Sequence, residues 1–306
     1  MFDPSNVFLR LARKFGPESF VAKFLSSIGV LASSSMYTQK ALATQIRSVI
    51  GPDGDGEATL GTDKLRTLLL VVTRNASTDS PWPISNNPYA MYNNPKLPDC
   101  NLKIPLWQLV RASTAAPIFF PPEVIDIGDQ PMNFVDGGVT VYQNPAFVLF
   151  LMATLPSYKL NWQAGEDDLL LVSIGTGLSK DSNLGLQPHQ MNVMYNLEKL
   201  PTALIVAATV EQDKLCRIFG HTRTGGEIDS EIGDLADNRS PLSEKLFTYL
   251  RYDVRLSRKG LDELGLNDID VGLLGPFDIE HLDQLQAVGK AAANKFISDD
   301  AFQGFV

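Results

Sequence analysis

The sequence predicts an α/β fold: three layers, with a mostly parallel central sheet between helices. Three observations carry this expectation. Residues 65–73 (Leu-Arg-Thr-Leu-Leu-Leu-Val-Val-Thr) form a nearly continuous apolar run rich in β-formers, as a strand buried on both faces requires. Residues 168–174 form a second such run, closed by Gly175-Thr176-Gly177. Segments with apolar residues at helical spacing flank and separate these runs.

Taken in order, Asp3-Pro4 reads as an N-cap with proline at the first helical position. Val7, Phe8, Leu11, Ala12 and Phe15 follow at helical spacing, and Gly16-Pro17 stops the helix. Further helices are expected over residues 18–28 and 38–50. The glycine-rich stretch 51–56 reads as a loop. Residues 80–98 are loaded with proline and asparagine and carry Trp82, Tyr89 and Tyr92. They read as a long surface excursion pinned to its own domain by those rings, with a lid or lipid-facing loop as the alternative. Helices are expected over 105–116, from Asn144-Pro145 to Met152, over 192–217 with an interruption at Pro201, and over 282–298. A short strand is expected at 133–135. Residues 247–256 alternate and read as an edge strand, and 222–240 as loop. With no repeat or convincing linker, the expectation is a single domain over 1–306, with 240–306 as its C-terminal extension.

Composition limits the function classes. Lys and Arg number 26 against 35 Asp and Glu, a net charge of −9. This argues against nucleic acid, whose binding rests on cations at phosphates. Two cysteines and three histidines without ligand spacing suggest a reduced, cytoplasmic setting, and neither a disulfide framework nor a metal centre. No apolar run approaches the roughly 18 residues of a membrane span.

The chemistry concentrates at Phe134-Val135-Asp136-Gly137-Gly138. An Asp at the end of a strand, followed by two glycines, places a carboxylate at the sheet edge where ligands bind in α/β folds. It could deprotonate a hydroxyl nucleophile there. An ordinary Asp-Gly turn is the bland alternative. About twenty residues upstream lies Arg111-Ala112-Ser113-Thr114-Ala115-Ala116-Pro117-Ile118-Phe119-Phe120-Pro121-Pro122. Its small residues suit close helix packing. Asn144-Pro145-Ala146, residues 170–177, residues 204–220 with Gln212-Asp213 and Arg217, Tyr249–Val254 and the helix from Leu282 follow in sequence.

These segments, in this order, resemble the patatin-like phospholipases. The resemblance implies a lipid acyl hydrolase of the phospholipase A type acting through a Ser-Asp dyad. Its substrate is a lipid or phospholipid ester, met with peripheral membrane contact, and no cofactor or metal is implied. It assigns Asp136 as the general base and Gly137 and Gly138 as its turn. Ser113 and Asn144 are weaker, supporting candidates.

The sequence departs from the family pattern at one end. No Gly-x-Ser-x-Gly occurs in the 306 residues, and no glycine-rich oxyanion loop. Arg13–Phe20 resembles family sequence a little beyond the nucleophile elbow, so an N-terminally truncated member is expected, lacking its first strand and elbow. Ser26, Ser27 and Ser33–Ser35 lack the flanking glycines an elbow needs. The expectation is therefore a chain with a base and no nucleophile, inactive by itself. A non-catalytic remnant, or a lipid- or protein-binding module on the same fold, is the alternative. Gly175-Thr176-Gly177 lacks the residues of a nucleotide cradle and is expected to be a tight turn.

Overall fold

The computed structural model of the protein describes residues 39–54, 56–117, 119–177, 186–229, 231–235, 242–274 and 281–306. The helices expected over 3–15 and 18–28 lie outside these residues. The expected α/β class is found, and the described residues divide into two compact units. One holds residues up to Gln143 with Pro156–Leu160 and Gln187–Ala208. The other holds Asn144–Leu155, Asn161–Leu186 and Thr209–Val306.

The first unit begins with α1 (Gln39–Ile50). It ends where Gly51 adopts φ +72° and donates its N–H to the Arg47 carbonyl at 2.9 Å, a glycine C-cap. A two-residue hairpin, β1 (Pro52–Asp53) and β2 (Gly56–Glu57), replaces the expected loop. Strand β3 (Leu70–Asn75) pairs with β4 (Ser80–Ser85) across a turn in which the Asn75 Oδ1 accepts from the amides of Ser77 and Thr78. Helix α2 (Leu106–Ser113) follows, then a second hairpin of β5 (Glu123–Ile127) and β6 (Gln130–Asp136). Its two-residue loop has Gly128 at φ +62°, as a type II′ hairpin turn requires of its first central residue.

The four strands form one sheet in the order β4-β3-β6-β5, and every pairing in it is antiparallel. The parallel pairing expected for the 65–73 run is thereby corrected. The strand starts at Leu70, and its burial is only partial over its first three residues, as suits an antiparallel sheet. Residues 80–85, expected as loop, form edge strand β4. Pro81 and Pro83 are two residues apart, so both missing N–H groups lie on one side of the strand, and an edge tolerates that. Leu109, Ala112, Ile125 and Phe134 are buried in the core between α2 and the sheet, with Trp82 packed edge-on to Phe134 at 5.2 Å. Burial of Phe134 or Leu109 stabilises by roughly 2 kcal/mol each.

The second unit contains α3 (Ala146–Thr154) and β7 (Leu170–Ile174). Helix α4 covers Val193–Phe219 and belongs to this unit from Thr209 onward. Strands β8 (His221–Thr224) and β9 (Thr248–Tyr252) follow, then α5 (Arg258–Glu263) and α6 (Leu282–Phe296). The sheet order is β7-β9-β8 and both pairings are parallel. Strand β9 is central and buried at every position, not at an edge as its alternating sequence suggests. Residues 222–224, expected as loop, belong to β8.

The polar residues of β9 are accommodated by a buried network. Asp213 accepts two hydrogen bonds from Arg217, at 3.1 and 2.9 Å, and a third from the Tyr249 hydroxyl at 2.9 Å. Burial pushes the Tyr249 phenol above its ordinary pKa and the Cys216 thiol up to about 12, so both stay neutral. Arg251 donates to Ser173 at 2.7 Å and pairs with Asp253. Truncation of one partner strands a buried charge. Asp213→Ala is expected to lower unfolding stability by about 3–5 kcal/mol, against about 1 kcal/mol for Tyr249→Phe, as read from urea denaturation midpoints.

Candidate functional site

Asp136 is the last residue of β6 and caps the single 3₁₀ turn Gly137–Val139. Its side chain accepts the Gly138 N–H at 2.6 Å through Oδ1, and its own N–H donates to the Ala115 carbonyl at 3.1 Å. The carboxylate is half-buried. Burial raises its pKa above the usual carboxylate range, and the Gly138 hydrogen bond opposes that shift without cancelling it. Among the described residues, nothing donates to Oδ2.

The two glycines serve different ends. A Cβ at Gly137 would strike the Val72 carbonyl, with the carbonyl carbon 2.8 Å away. That obstacle is the backbone of β3 and cannot swing aside. A Cβ at Gly138 would meet the Gln143 Oε1 at 2.5 Å, the end of a flexible side chain, and Asp136 Oδ1 at 3.0 Å. Neither glycine has a positive φ. Close approach, more than a left-handed turn, is what the motif needs at Gly137. Thr140 completes the turn, its N–H and hydroxyl both donating to the Gly137 carbonyl at 3.0 and 2.7 Å.

Ser113, the last residue of α2, donates its hydroxyl to the Val72 carbonyl at 2.8 Å. A hydroxyl has one proton to give, so Ser113 secures β3 instead of bonding to Asp136. Arg111 lies fully buried two residues earlier. Its guanidinium donates to the Pro121 carbonyl at 3.1 Å and sits 5.1 Å from the centre of the Phe120 ring, which ties the proline-rich segment to α2. Asp136, Gly137 and Ser113 thus converge on one stretch of β3, with Thr73 directly opposite Asp136 in register. Val72, Thr140 and Gln143 are parts of this arrangement that sequence reasoning missed. Thr140, three residues after Gly137 and able to bond back to it, is the one whose spacing could have revealed it.

Asn144 is in the second unit. Its Oδ1 accepts from the Ala146 N–H at 3.2 Å and from the Ser173 hydroxyl at 3.0 Å, so it links the first residue of α3 to β7. The Gly175–Gly177 loop holds a carboxylate of its own. Asp253 accepts the Gly177 N–H at 3.0 Å and fills the space beside Gly175. Among the described residues, no group of three His, Cys, Asp or Glu side chains is placed to hold a metal ion. No helix among them is long and apolar enough to cross a membrane.

Asp136 is thus a strand-end carboxylate in an Asp-Gly-Gly turn, held through its own amide to Ala115 just beyond α2. Residues 5–150 match the patatin-like phospholipase family. Over this segment the chain is similar to the patatin-like family. No curated protein matches the chain. The patatin-like match includes β3, α2, β6 and the Asp136 turn, and the family is one of lipid acyl hydrolases.

Gly137→Ala is expected to cost about 1–3 kcal/mol through overpacking against β3. Ser113→Ala, which removes one hydrogen bond to a backbone carbonyl, is expected to cost about 1 kcal/mol. Chemical denaturation of the two variants beside the unaltered chain gives both values.

Proposed function

We propose that Asp136 is the general base of a Ser-Asp dyad acting on a lipid or phospholipid ester. In this reading the carboxylate takes the proton of a serine hydroxyl as its oxygen attacks the ester carbonyl carbon. The leaving alcohol carries that proton away. Water, deprotonated by the same carboxylate, then attacks the acyl carbon; the acyl–oxygen bond breaks, the serine oxygen takes back the proton from Asp136, and the fatty acid leaves. The observation that carries the reading is the state of Asp136: one oxygen is held by the Gly138 amide, the other has no donor among the described residues, and burial raises the carboxyl pKa. Gly137 and Gly138 shape the turn. Ser113 supports the backbone of β3, Asn144 supports the start of α3 in its own unit, and neither takes a proton. No cofactor enters this scheme, and the protein is proposed to be cytoplasmic and to meet its substrate peripherally at a membrane.

The 306 residues contain no Gly-x-Ser-x-Gly. A base without an activated hydroxyl cannot form an acyl-enzyme, so these residues by themselves are expected to be catalytically silent. The same observation favours the second reading, a module of the patatin-like fold that binds lipid or protein without turnover. Hydrolysis of a short-chain p-nitrophenyl ester by the purified chain is expected at the uncatalysed rate. Turnover that disappears in Asp136→Ala would overturn this expectation and reveal a nucleophile among the chain's own serines.

The raised pKa also has a consequence for stability. A carboxyl whose folded pKa lies above its unfolded value contributes stability at low pH, and that contribution is lost as pH rises through the folded pKa. Asp136→Asn keeps an oxygen for the Gly138 amide and carries no charge. It is expected to melt at a higher temperature than the unaltered chain at pH 7, with the difference vanishing below the ordinary carboxyl range. Melting curves across pH, followed by circular dichroism, test this directly; equal melting temperatures at pH 7 would contradict the burial cost.

A further inference from the structure

The segment after β4 is built unlike the loop expected from the sequence. Trp82 is packed against Phe134, but Tyr89, Met91 and Tyr92 are 61%, 77% and 55% exposed. The rings of the two tyrosines do not pin the segment down. Two asparagines do. Asn87 and Asn93 are each 1% exposed. Asn87 donates to the Tyr158 carbonyl at 2.7 Å and accepts the Tyr89 N–H at 2.9 Å. Asn93 donates to the carbonyls of Ser85 and Asn87 at 2.7 and 2.6 Å. Successive turns bond Ala90 to Asn87 and Asn93 to Ala90, and the Asn101 amide holds the Tyr92 carbonyl at 2.8 Å. The result is a fixed knuckle whose large side chains face water because its polar ones are used inside.

We propose that this knuckle, Tyr89–Tyr92 with Leu97 beside it, is a docking surface for a zwitterionic phospholipid bilayer. Tyrosine suits the boundary between headgroups and acyl chains, with the ring in the apolar layer and the hydroxyl in the wet one. Met91 and Leu97 add purely apolar surface, and the backbone is already ordered, so little conformational entropy is lost on insertion. Charge points to the same partner. The chain carries a net charge of −9, yet residues 86–98 contain no acidic residue and one lysine, Lys96. Such a surface accepts phosphate headgroups, while the rest of the molecule disfavours an anionic membrane.

Sheet register places the knuckle usefully. Leu70 is opposite Ser85, and Thr73 is opposite both Trp82 and Asp136. Strands β4 and β6 flank β3, and both run toward its Leu70 end. The chain therefore leaves β4 for the knuckle at the same end of the sheet where β6 delivers Asp136. Ser85 lies three residues beyond Trp82, about 10 Å along the strand. The choice of partner rests on the lipid-ester reading of the Asp136 site, which this surface deepens.

Sedimentation with phosphatidylcholine vesicles tests the proposal without reference to turnover. The unaltered chain is expected to co-sediment, and the triple variant Tyr89→Ser, Met91→Ser, Tyr92→Ser to bind at least about tenfold more weakly. Because those side chains are exposed, the variant's thermal transition is expected to be unchanged. Added salt should leave binding intact, and replacing part of the phosphatidylcholine with phosphatidylserine should weaken it. A Met91→Cys chain labelled with a polarity-sensitive thiol dye is expected to shift to the blue on vesicles, both native cysteines being buried. Binding equal in the two chains, binding that rises with phosphatidylserine, or no binding at all would overturn the proposal. Concentration-dependent self-association abolished by the triple variant, with no vesicle binding, would reassign the surface to a second copy of the chain. None of these outcomes depends on ester hydrolysis, so silence in the ester assay leaves the vesicle result standing.

Discussion

The carbonyl of Val72 in β3 is the point on which the candidate site depends. Ser113 donates to it at 2.8 Å from the end of α2, and Gly137 lies so close that a single Cβ would collide with it. Helix α2, strand β3 and the Asp136 turn are therefore locked through one peptide unit. A side chain at 137 would force β6 away from β3, and the pairing of Asp136 with Thr73 would open with it. The glycine is required for proximity, and its dihedral angles are ordinary. This accounts for an Asp-Gly-Gly sequence in which only the first glycine has no room to give.

That locked geometry holds a carboxylate where it is not comfortable. Burial disfavours the charge on Asp136, and the Gly138 amide offsets only part of the cost. The opposite solution operates in the second unit, where every buried charge that approaches β9 has an internal partner: Arg217 with Asp213, Arg251 with Asp253 and Ser173. A fully partnered network gives rigidity and leaves nothing for chemistry. A carboxylate with one oxygen lacking a donor among the described residues and a raised pKa is costly to the fold, a balance typical of reactive positions. The contrast separates the half-buried Asp136 from the buried charged residues of the second unit.

The local parts of this arrangement were legible in the sequence. Asp-Gly-Gly, the Arg111–Pro122 segment and the helix after Asn144-Pro145 depend on neighbours within a few residues. Strand partners were less legible. The apolar run at 65–73 looked like a parallel strand because continuity of apolar residues signals burial, whereas the strand begins only at Leu70 and is antiparallel. Pro81 and Pro83 suggested a loop, but an edge strand can place both on its open side. Thr248–Tyr252 looked like an edge because it mixes polar and apolar residues. The partners that let Tyr249 and Arg251 lie at the centre are Asp213 and Ser173, 36 and 78 residues away in sequence. Only tertiary contact reveals them. The hairpin at Ile127–Gln130 is signalled in the sequence by its Gly-Asp loop between alternating residues.

Strand β3 also sets the distance between chemistry and surface. Its two neighbours in the sheet end at the same side, one in the Asp136 turn and the other in the asparagine-anchored knuckle. In an antiparallel sheet, neighbours on either side of a strand run in the same direction, so this coincidence follows from the pairing itself. A lid hinged on a flexible loop could reach the site from many directions. A knuckle held by Asn87 and Asn93 has one position relative to β3, and Asp136 has one position relative to the same strand. A lipid surface that seated on the knuckle would meet the carboxylate end of the sheet at a fixed height, with no rearrangement of the backbone between them. Rigid presentation of exposed tyrosines is otherwise a liability for a folded chain in water. Retaining it beside an under-partnered carboxylate makes physical sense when both serve the same interface.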